Sequence, residues 1–314
     1  MTSQHCILIG APVDSGKRRA GCLMGPDAYR TAGLAPALES LGHTVEDLGN
    51  LDPEPHAPDG YDGYDGNDGL VFARNETIGW TARLAQAAED ALESGLPVFL
   101  GGDHSLSLGS VAGAANYAAK AGRPLFVLWL DAHTDFHTPE TSDSGNLHGT
   151  PVGYFTGRNG FEGFPEVSNP VPQENVCMIG LRSVDTQERL ALEGSSIRTH
   201  DMRHIDENGI AGPLNRFLEH VAQANGMLHV SLDVDFLDPS VAPAVGTTVP
   251  GGATVREAHL VCEILHDSGL MTSLDLVELN PFLDERGRTA HLMVDLCASA
   301  LGRRVFDRPT RSYQ

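Results

Sequence analysis

The sequence predicts an α/β fold in which helices cover both faces of a mostly parallel β-sheet. Short apolar segments alternate with amphipathic segments along most of the chain, as expected where helices connect parallel strands. Some of the apolar segments, among them residues 125–130, are hydrophobic at every position, which is typical of strands buried on both faces. The sequence has no linker-like stretch or internal repeat, so we expect its 314 residues to form one domain over residues 1–314.

Strands are predicted at the short apolar runs, and helices at the amphipathic segments between them. The predicted strands comprise residues 6–9, 43–48, 98–100, 125–130, 175–179, 196–199, 227–232 and 271–277. The predicted helices comprise residues 25–41, 77–94, 105–119, 209–225, 255–267 and 289–301. Most strands are followed by a helix, which is the order of a parallel sheet with short right-handed crossovers.

One segment, residues 59–69, is predicted to be a mobile surface loop. Its sequence, DGYDGYDGNDG, repeats Asp-Gly pairs, which favour turns and cannot build a core. An Asp-rich repeat can also indicate a calcium site, but the spacing of an EF-hand loop with its terminal Glu does not follow. At the other end of the chain, residues 305–314 are predicted to form a C-terminal tail.

Composition and charge argue against several classes of partner. The formal net charge of −21, from 42 acidic and 21 basic residues, disfavours binding to nucleic acid or to an anionic membrane. No apolar run approaches the length of a membrane span, and the first residues lack the features of a signal peptide. The five cysteines are scattered and never spaced as Cys-x-x-Cys, which fits reduced thiols. We therefore expect a cytoplasmic protein.

Three potential metal ligands follow the apolar run at residues 125–130. They are Asp131, His133 and Asp135, at every second position. Because an extended backbone points alternate side chains the same way, we expect all three to face one point just beyond the strand. A solvated acidic loop is the simpler interpretation of this one cluster.

Two further clusters repeat the design and weaken that simpler interpretation. Asp103 and His104 follow the predicted strand at residues 98–100, and Asp233 and Asp235 lie at the end of the strand at residues 227–232. In open α/β sheets, ligands bind outside the carboxyl ends of the strands, so the clusters are expected to converge. Several carboxylates and imidazoles in one place would repel each other without cations, which predicts a pair of metal ions.

The donor types limit the choice of metal. Carboxylate and imidazole without thiolate exclude zinc fingers and iron–sulfur clusters, and leave manganese, iron(II), cobalt and zinc. The oxygen-rich set favours Mn²⁺. Two such ions roughly 3.5–4 Å apart can share a bridging hydroxide and present it as a nucleophile at neutral pH. The residues therefore predict metal-assisted hydrolysis.

Five motifs together resemble the ureohydrolase family. They are GGDHS at 101–105, DAHTD at 131–135, SGNLHG at 144–149, SLDVDFLDP at 231–239 and LDLVELNP at 274–281. The segment at 131–153 resembles the arginase branch of that family, and the likeness extends over residues 7–304. The resemblance implies an α/β fold and hydrolysis of a guanidino compound to an amine and urea by two Mn²⁺ ions per subunit. It also implies a homo-oligomer, a trimer or a hexamer.

The resemblance also implies the roles of individual residues at the metals. One ion would be held by His104, Asp131, Asp135 and Asp233, and the other by Asp131, His133, Asp233 and Asp235. Asp131 and Asp233 would thus bridge the ions. Asp135 would carry a proton to the leaving nitrogen, His148 would act as a proton shuttle, and Glu278 would orient the guanidinium group of the substrate.

A second set of residues is implied to recognise the rest of the substrate. The α-carboxylate of L-arginine would meet Ser142, Ser144 and Asn146, and the α-ammonium group would meet Asp185 and, through water, Glu188. Thr247 and His137 would complete the site. The chain departs from the usual arginase pattern at three places. His137 stands where Asn is usual, Ser142 where Thr is common, and Ser183 where an acidic residue is often found.

Three functions therefore stay open at this stage. L-arginine hydrolysis is the leading hypothesis. Another ureohydrolase activity, on agmatine or a guanidino acid, is the second, because the departures concern the head-group residues and leave the metal ligands unchanged. The third is a metal-binding homologue without catalysis, against which the presence of Asp135, His148 and Glu278 argues. A phosphoesterase is disfavoured because the metal-ligand motifs carry no Arg or Lys clamp.

Overall fold

A single β-sheet organises the part of the chain that is described by a computed structural model, residues 3–55 and 71–307. Its eight strands lie in the order β2-β1-β3-β8-β7-β4-β5-β6, and every neighbouring pair is parallel. The strands are β1 His5–Ala11, β2 Thr44–Asn50, β3 Leu96–Gly101, β4 Leu125–Leu130, β5 Val176–Leu181, β6 Arg198–Asp201, β7 Met227–Asp233 and β8 Met271–Val277. The predicted α/β class is confirmed, with a sheet that is entirely parallel across these strands.

Helices cover both faces of the sheet because its side chains alternate between apolar clusters on the two faces. In β4, Leu128 packs into the core under one layer of helices, and Trp129 packs into the core under the other. Both residues are fully buried. A strand covered on both faces needs apolar side chains at every position, which accounts for the uninterrupted apolar run at 125–130.

Ten α-helices lie within residues 3–55 and 71–307. They are α1 Gly25–Thr31, α2 Leu34–Glu39, α3 Arg74–Leu92, α4 Leu106–Lys120, α5 Pro151–Phe155, α6 Thr186–Glu193, α7 Met202–Asn208, α8 Ala211–Gln223, α9 Val255–Ser268 and α10 Arg288–Ala300. Their ends follow local sequence signals. For example, α9 starts with a capping box between Thr254 and Glu257 and ends at Gly269, whose backbone is left-handed.

The helix predictions differ from the structure at three places. The single helix predicted at 25–41 is divided into α1 and α2, because Gly33 has a φ of 88° that no α-helix accommodates. Gly209, with a φ of 73°, separates α7 from α8 where one helix was predicted to begin. The short helices α5, α6 and α7 were not predicted, because helices of one or two turns contain too few residues to show periodicity.

Two further predictions fall partly or wholly outside the described residues. They are the surface loop at 59–69 and most of the tail at 305–314, and both stay predictions, as does the extent of the domain. Within the described ranges, no helix is long and apolar enough to cross a membrane.

The topology brings the chemically important segments together. The four strands β3, β8, β7 and β4 are consecutive at the centre of the sheet. In a parallel sheet their carboxyl ends meet at one edge, where the segments after them form a common crevice.

Candidate metal centre and active site

One cavity at the carboxyl edge of the central strands is lined by every predicted site residue except Asp103. Its volume is about 250 Å³. The predicted residues that line it are His104, Asp131, His133, Asp135, His137, Ser142, Ser144, Asn146, His148, Asp185, Glu188, Asp233, Asp235, Thr247 and Glu278. The predicted convergence of the three clusters is therefore present in the structure.

The imidazole of His104 is the centre of the first group of potential metal ligands. Its Nδ1 lies 3.0 Å from Asp131 Oδ2, 3.0 Å from Asp233 Oδ2 and 3.2 Å from Asp135 Oδ2. His104, Asp131 and Asp233 have ligand atoms close enough to one another to hold an ion. All four of these residues are buried.

A second group forms around His133. Its Nδ1 lies 3.0 Å from Asp235 Oδ2 and 3.4 Å from Asp131 Oδ1. Asp131, His133 and Asp235 can hold an ion together. Asp131 therefore directs one carboxylate oxygen to each group, and its predicted role as a bridge between two metals stays a prediction. Asp233 reaches the His104 group through Oδ2, and its bridging role stays a prediction.

Backbone amides fix the orientation of these carboxylates. His133 N donates to Asp131 Oδ1, and Asp235 N donates to Asp233 Oδ1, both at 2.7 Å. Ala132 N donates to Asp235 Oδ1 at 3.0 Å. The last two hydrogen bonds use Oδ1 of each carboxylate. Oδ2 of Asp233 therefore faces His104, and Oδ2 of Asp235 faces His133. The orientation of each carboxylate thus depends on backbone amides in the loop that follows a strand.

The predicted geometric reason for the convergence of Asp131, His133 and Asp135 was wrong. Strand β4 ends at Leu130, and the residues after it form bends instead of extended backbone. Asp135 has a φ of 47°, in the left-handed region. A non-glycine residue is strained there, so the surrounding contacts must hold it in a conformation that directs the carboxylate toward His104.

The donor atoms of the His104 group fit bound cations. His104 Nδ1 and Asp131 Oδ2 are buried and lie 3.0 Å apart, yet neither has a hydrogen-bond partner among the described residues. Burial opposes protonation of His104, but Asp131 and Asp233 outweigh it and raise the His104 pKa well above its usual value. At His133, Asp235 and Asp131 likewise outweigh the effect of burial and raise the pKa of the imidazole to about 12. The cluster therefore demands positive charge, which metal ions provide.

The other face of His104 is held by neighbouring side chains. Its Nε2 lies 2.8 Å from Ser231 Oγ, and its ring stacks on the indole of Trp129 at a centroid distance of 4.1 Å. A hydrogen bond at Nε2 leaves Nδ1 facing the carboxylates, which is how a second contact orients a metal-binding imidazole. The role of Ser231 was not predicted, although it precedes Asp233 by two residues on β7 and shares its side of the strand.

Asp103 does not join the ligand groups, although it was a candidate beside His104. Its Oδ2 accepts a hydrogen bond from Gly16 N at 2.7 Å, and its Oδ1 accepts from Ser105 N at 3.0 Å. A Cβ at Gly16 would lie 2.4 Å from Asp103 Oδ1, so only glycine permits this approach. Asp103 thus anchors the loop after β1, and that loop brings Lys17 to Glu278, which lines the cavity.

Lys17 is a buried site residue that the sequence analysis missed. Its Nζ forms a salt bridge with Glu278 Oε2, and both side chains are 3% exposed. Glu278 Oε1 accepts from His104 N and lies 3.0 Å from His148 Nδ1. Burial alone would raise the Glu278 pKa, but Lys17 and His148 lower it well below its usual range. The only sequence signal was a lysine in a glycine-containing loop that follows a strand.

A loop of polar residues at 141–146, called the hydroxyl loop, forms one wall of the cavity mouth. Ser142 Oγ lies 3.3 Å from Ser144 Oγ and donates to Asn146 O at 3.3 Å. Ser144 Oγ accepts from Asn146 N at 3.2 Å. These three residues, all predicted to meet a carboxylate, therefore form one connected group. Thr247 is exposed and lines the same cavity from another loop.

An acidic pair forms a second wall of the cavity. Asp185 and Glu188 make a capping box at the start of α6, with Asp185 Oδ1 accepting from Glu188 N at 2.9 Å. Asp185 Oδ2 lies 2.7 Å from His137 Nε2. Ser183, one of the departures from the family pattern, also lines the cavity. The cavity thus has metal-binding groups at its base and separate hydroxyl and carboxylate groups at its mouth.

Known proteins share both the sequence and the fold of this chain. The family model described as Arginase family matches residues 4–302. The arginase of Brucella melitensis is 59% identical over 310 residues, which are 98% of this chain and 100% of that protein. The arginase of Agrobacterium fabrum is 58% identical, over 98% of this chain and 94% of that protein. The solved structure of the arginase from Bacillus caldovelox superimposes with a TM-score of 0.87 at 35% identity, covering 96% of this chain and 99% of that one. The chain belongs to the arginase family.

Proposed function

We propose that this protein hydrolyses L-arginine to L-ornithine and urea with two Mn²⁺ ions in the cavity described above. The observation that carries the proposal is that two overlapping His/Asp groups and a divided polar mouth occupy one cavity of about 250 Å³. The relatives that match the chain over nearly its whole length bear the name arginase, which supports the same activity.

Mn²⁺ is proposed because of the donor set. The ligand atoms are carboxylate oxygens and imidazole nitrogens, a mixture in which oxygen predominates. When bound, the ion pair acts as a Lewis acid that lowers the pKa of water, so that a nucleophile forms near neutral pH. We assign one ion to His104, Asp131, Asp135 and Asp233, and the other to Asp131, His133, Asp233 and Asp235.

Side chains of the protein then transfer protons and orient the substrate. In the overall hydrolysis, water adds to the guanidinium carbon, the bond from that carbon to the δ-nitrogen breaks, and the leaving amine gains a proton. Asp135 lies at the base of the cavity and is buried, so its carboxylate can move a proton from the attacking oxygen to the leaving nitrogen. His148 is 20% exposed beside the cavity and is proposed to exchange protons with bulk water.

Glu278 is proposed to orient the guanidinium group. A carboxylate can accept parallel hydrogen bonds from a planar guanidinium, which fixes its rotation as well as its position. The carboxylate of Glu278 is already held by His104 N, by His148 and by Lys17. These contacts keep it ionised and immobile, so that it does not need to reorganise when the substrate binds.

The mouth of the cavity is proposed to recognise the head group of the substrate, which consists of its α-carboxylate and α-ammonium groups. Ser142, Ser144 and Asn146 would bind the α-carboxylate, while Asp185, with Glu188, would bind the α-ammonium group. The two charged groups of L-arginine are on one carbon, and the two walls face one cavity. A site that satisfies both groups discriminates strongly against guanidines that lack either one.

The proposal is tested by urea release from protein loaded with Mn²⁺, with L-arginine, agmatine and γ-guanidinobutyrate compared under identical conditions. We expect a strong preference for L-arginine. A preference for agmatine or the guanidino acid would retain the hydrolytic mechanism and overturn the assignment of L-arginine. Two bound ions without turnover of any of the three guanidines would indicate a metal-binding homologue without catalysis.

A homo-oligomer, a trimer or a hexamer, is also proposed. Large apolar side chains are exposed on the surface, among them Phe282 at 74%, Leu23 at 47% and Met24 at 42%. Such residues are common at subunit interfaces. Light scattering coupled to size-exclusion chromatography measures the assembly mass. A cytoplasmic location is proposed because the five cysteines are buried and free.

A further inference from the structure

His137 lies between the two walls of the cavity mouth. Its Nε2 is 2.7 Å from Asp185 Oδ2 on the acidic wall, and its Nδ1 is 3.0 Å from Thr141 Oγ1 at the start of the hydroxyl loop. The residue is 9% exposed. The imidazole therefore bridges two segments that are 44 residues apart in sequence, residues 141 and 185.

Both ring nitrogens of His137 are occupied by these contacts. Asp185 is a carboxylate that only accepts, so Nε2 donates to it. Nδ1 is then satisfied by the hydroxyl group of Thr141. His137 thus holds protein groups through both ring nitrogens, and its predicted contact with the substrate stays a prediction.

The contact at Nε2 determines where the Asp185 carboxylate points. The other oxygen of Asp185 accepts from Glu188 N at 2.9 Å, so the carboxylate is held at both ends. Glu188 is itself buried and accepts from Thr134 Oγ1 at 2.5 Å and from Phe136 N at 3.3 Å. The Asp185 side chain is still 45% exposed, which leaves it open to a ligand in the cavity.

The contact at Nδ1 determines the position of the hydroxyl loop. Thr141 Oγ1 also accepts from Thr138 N at 2.9 Å, and Ser142 N donates to Thr138 O at 3.2 Å. Thr141 thus stabilises the turn that precedes Ser142 in the hydroxyl loop. A shift of Thr141 would move Ser142 and, through it, Ser144.

A third cation site at His137, Asp185 and Glu188 is a different interpretation of the same atoms. These three residues have ligand atoms close enough to hold an ion. However, every carboxylate oxygen of the pair is already an acceptor within the protein, since Glu188 Oε2 accepts from Asp185 N at 3.4 Å. These contacts, which include the capping box of α6, already give each of the four oxygens a partner without a cation.

We propose that His137 is a positioning residue that determines head-group specificity by holding both walls of the mouth at once. Through Nε2 it directs Asp185 toward the α-ammonium group, and through Nδ1 it fixes Thr141 and the loop that meets the α-carboxylate. The inference rests on the proposed hydrolysis of L-arginine and goes beyond it, because it names the residue that couples the two halves of the recognition site.

Two conservative variants separate the two halves. The amide nitrogen of glutamine in His137→Gln is placed near the position of Nε2, so it retains the donor to Asp185 and loses Thr141. The amide of asparagine in His137→Asn is placed near the position of Nδ1, so it retains Thr141 and loses Asp185. The probes are L-arginine, agmatine, which lacks the carboxylate, and δ-guanidinovalerate, which lacks the α-ammonium group.

We expect opposite patterns in the two variants. His137→Asn raises KM, or Ki measured against L-arginine, roughly tenfold for L-arginine and agmatine, and leaves δ-guanidinovalerate within about twofold. His137→Gln raises the constants for L-arginine and δ-guanidinovalerate and leaves agmatine unchanged. In both variants the metal content and the kcat for L-arginine stay near their wild-type values, which distinguishes positioning of the head group from general damage to the site.

Partner variants make the test independent of how well the His137 variants fold. Thr141→Val removes the hydroxyl group at Nδ1 with little change in shape and is expected to reproduce the pattern of His137→Gln. Asp185→Asn is expected to reproduce that of His137→Asn. His291→Asn is the matched control, since His291 is exposed on α10 and does not line the cavity.

Different experimental results would overturn this inference and the proposed function. Wild-type protein that binds and hydrolyses none of the three guanidines overturns the proposed function, and this inference with it. If the wild type hydrolyses L-arginine but the His137 and Thr141 variants keep all three constants, or change all three equally, only the positioning role is overturned.

Discussion

Lys17 Nζ and Glu278 Oε2 form a salt bridge whose two side chains are each only 3% exposed. The pair joins the loop after β1 to the end of β8, and its carboxylate also contacts His148. A buried carboxylate without a counter-charge is costly, so Lys17 is the reason that Glu278 can remain ionised where the substrate's guanidinium group is proposed to bind.

Lys17→Met is therefore expected to damage both stability and turnover. The variant leaves a buried carboxylate unpaired, which should lower the free energy of unfolding by about 3–5 kcal/mol. The Glu278 pKa should rise when Lys17 is lost, and a protonated Glu278 cannot orient a cation. We expect kcat to fall at least roughly tenfold for L-arginine and agmatine alike, because both carry the guanidinium group. Denaturant unfolding and urea release measure the two effects.

Two further variants separate charge pairing from general destabilisation. Lys120→Met removes an exposed lysine that pairs with Glu89 on the surface, and it should leave turnover unchanged. Lys17→Met combined with Glu278→Leu removes both charges and should recover much of the stability without recovering activity. A Lys17→Met protein with wild-type kcat would limit the pair to a structural role.

Asp131→Ala should abolish activity and the paired binding of metal. Asp131 directs one oxygen to the His104 group and the other to the His133 group, so its loss removes a donor from both. We expect fewer than two ions per chain by elemental analysis of the purified protein. Asp103→Asn is the matched comparison, because Asp103 is buried beside His104 but lies outside the ligand groups. Two tightly bound ions in Asp131→Ala would contradict the ligand assignment.

The parts of the site that sequence could predict are those whose signal is local. His104, Asp131 and Asp233 each lie at or just after the end of an apolar strand, and the rule that parallel strands end at one edge is enough to bring them together. Lys17 could not be found in this way, because its partner Glu278 is 261 residues further along the chain. The φ of 47° at Asp135 is likewise determined by the surrounding contacts, and alternation along a strand does not predict it.

The same contrast applies to the fold. The apolar runs of β4 and β7 predicted strands because burial on both faces requires apolar residues throughout. Helix α6 was missed because its stability depends on one capping box, and eight residues are too few to show a reliable period. Asp185 was thus assigned correctly to the cavity, but its second function as a helix cap is visible only in the structure.

Removal of metal should lower the thermal stability of the protein. Without cations, the buried carboxylates of Asp131, Asp233 and Asp235 repel each other, and burial with this repulsion raises the pKa of Asp233 and of Asp235. Ligand binding to the folded state adds about 2.7 kcal/mol when the free ion is at 100 times its Kd. We expect chelation to lower Tm by several degrees and Mn²⁺ to restore it. An identical Tm with and without chelator would argue against a metal centre within the core.

Asp185→Asn should raise the KM for L-arginine and for agmatine without loss of bound metal. Asparagine retains a side-chain oxygen for the cap of α6 but removes the negative charge that is proposed to attract the α-ammonium group. The change therefore tests recognition without unfolding the helix. Asp201→Asn is the matched control, because Asp201 caps α7 through His204 N and does not line the cavity. We expect an increase in KM of about tenfold or more in Asp185→Asn and none in Asp201→Asn. If KM changes equally in both variants, the α-ammonium group is recognised by other residues, and the role proposed for His137 in directing Asp185 loses its basis.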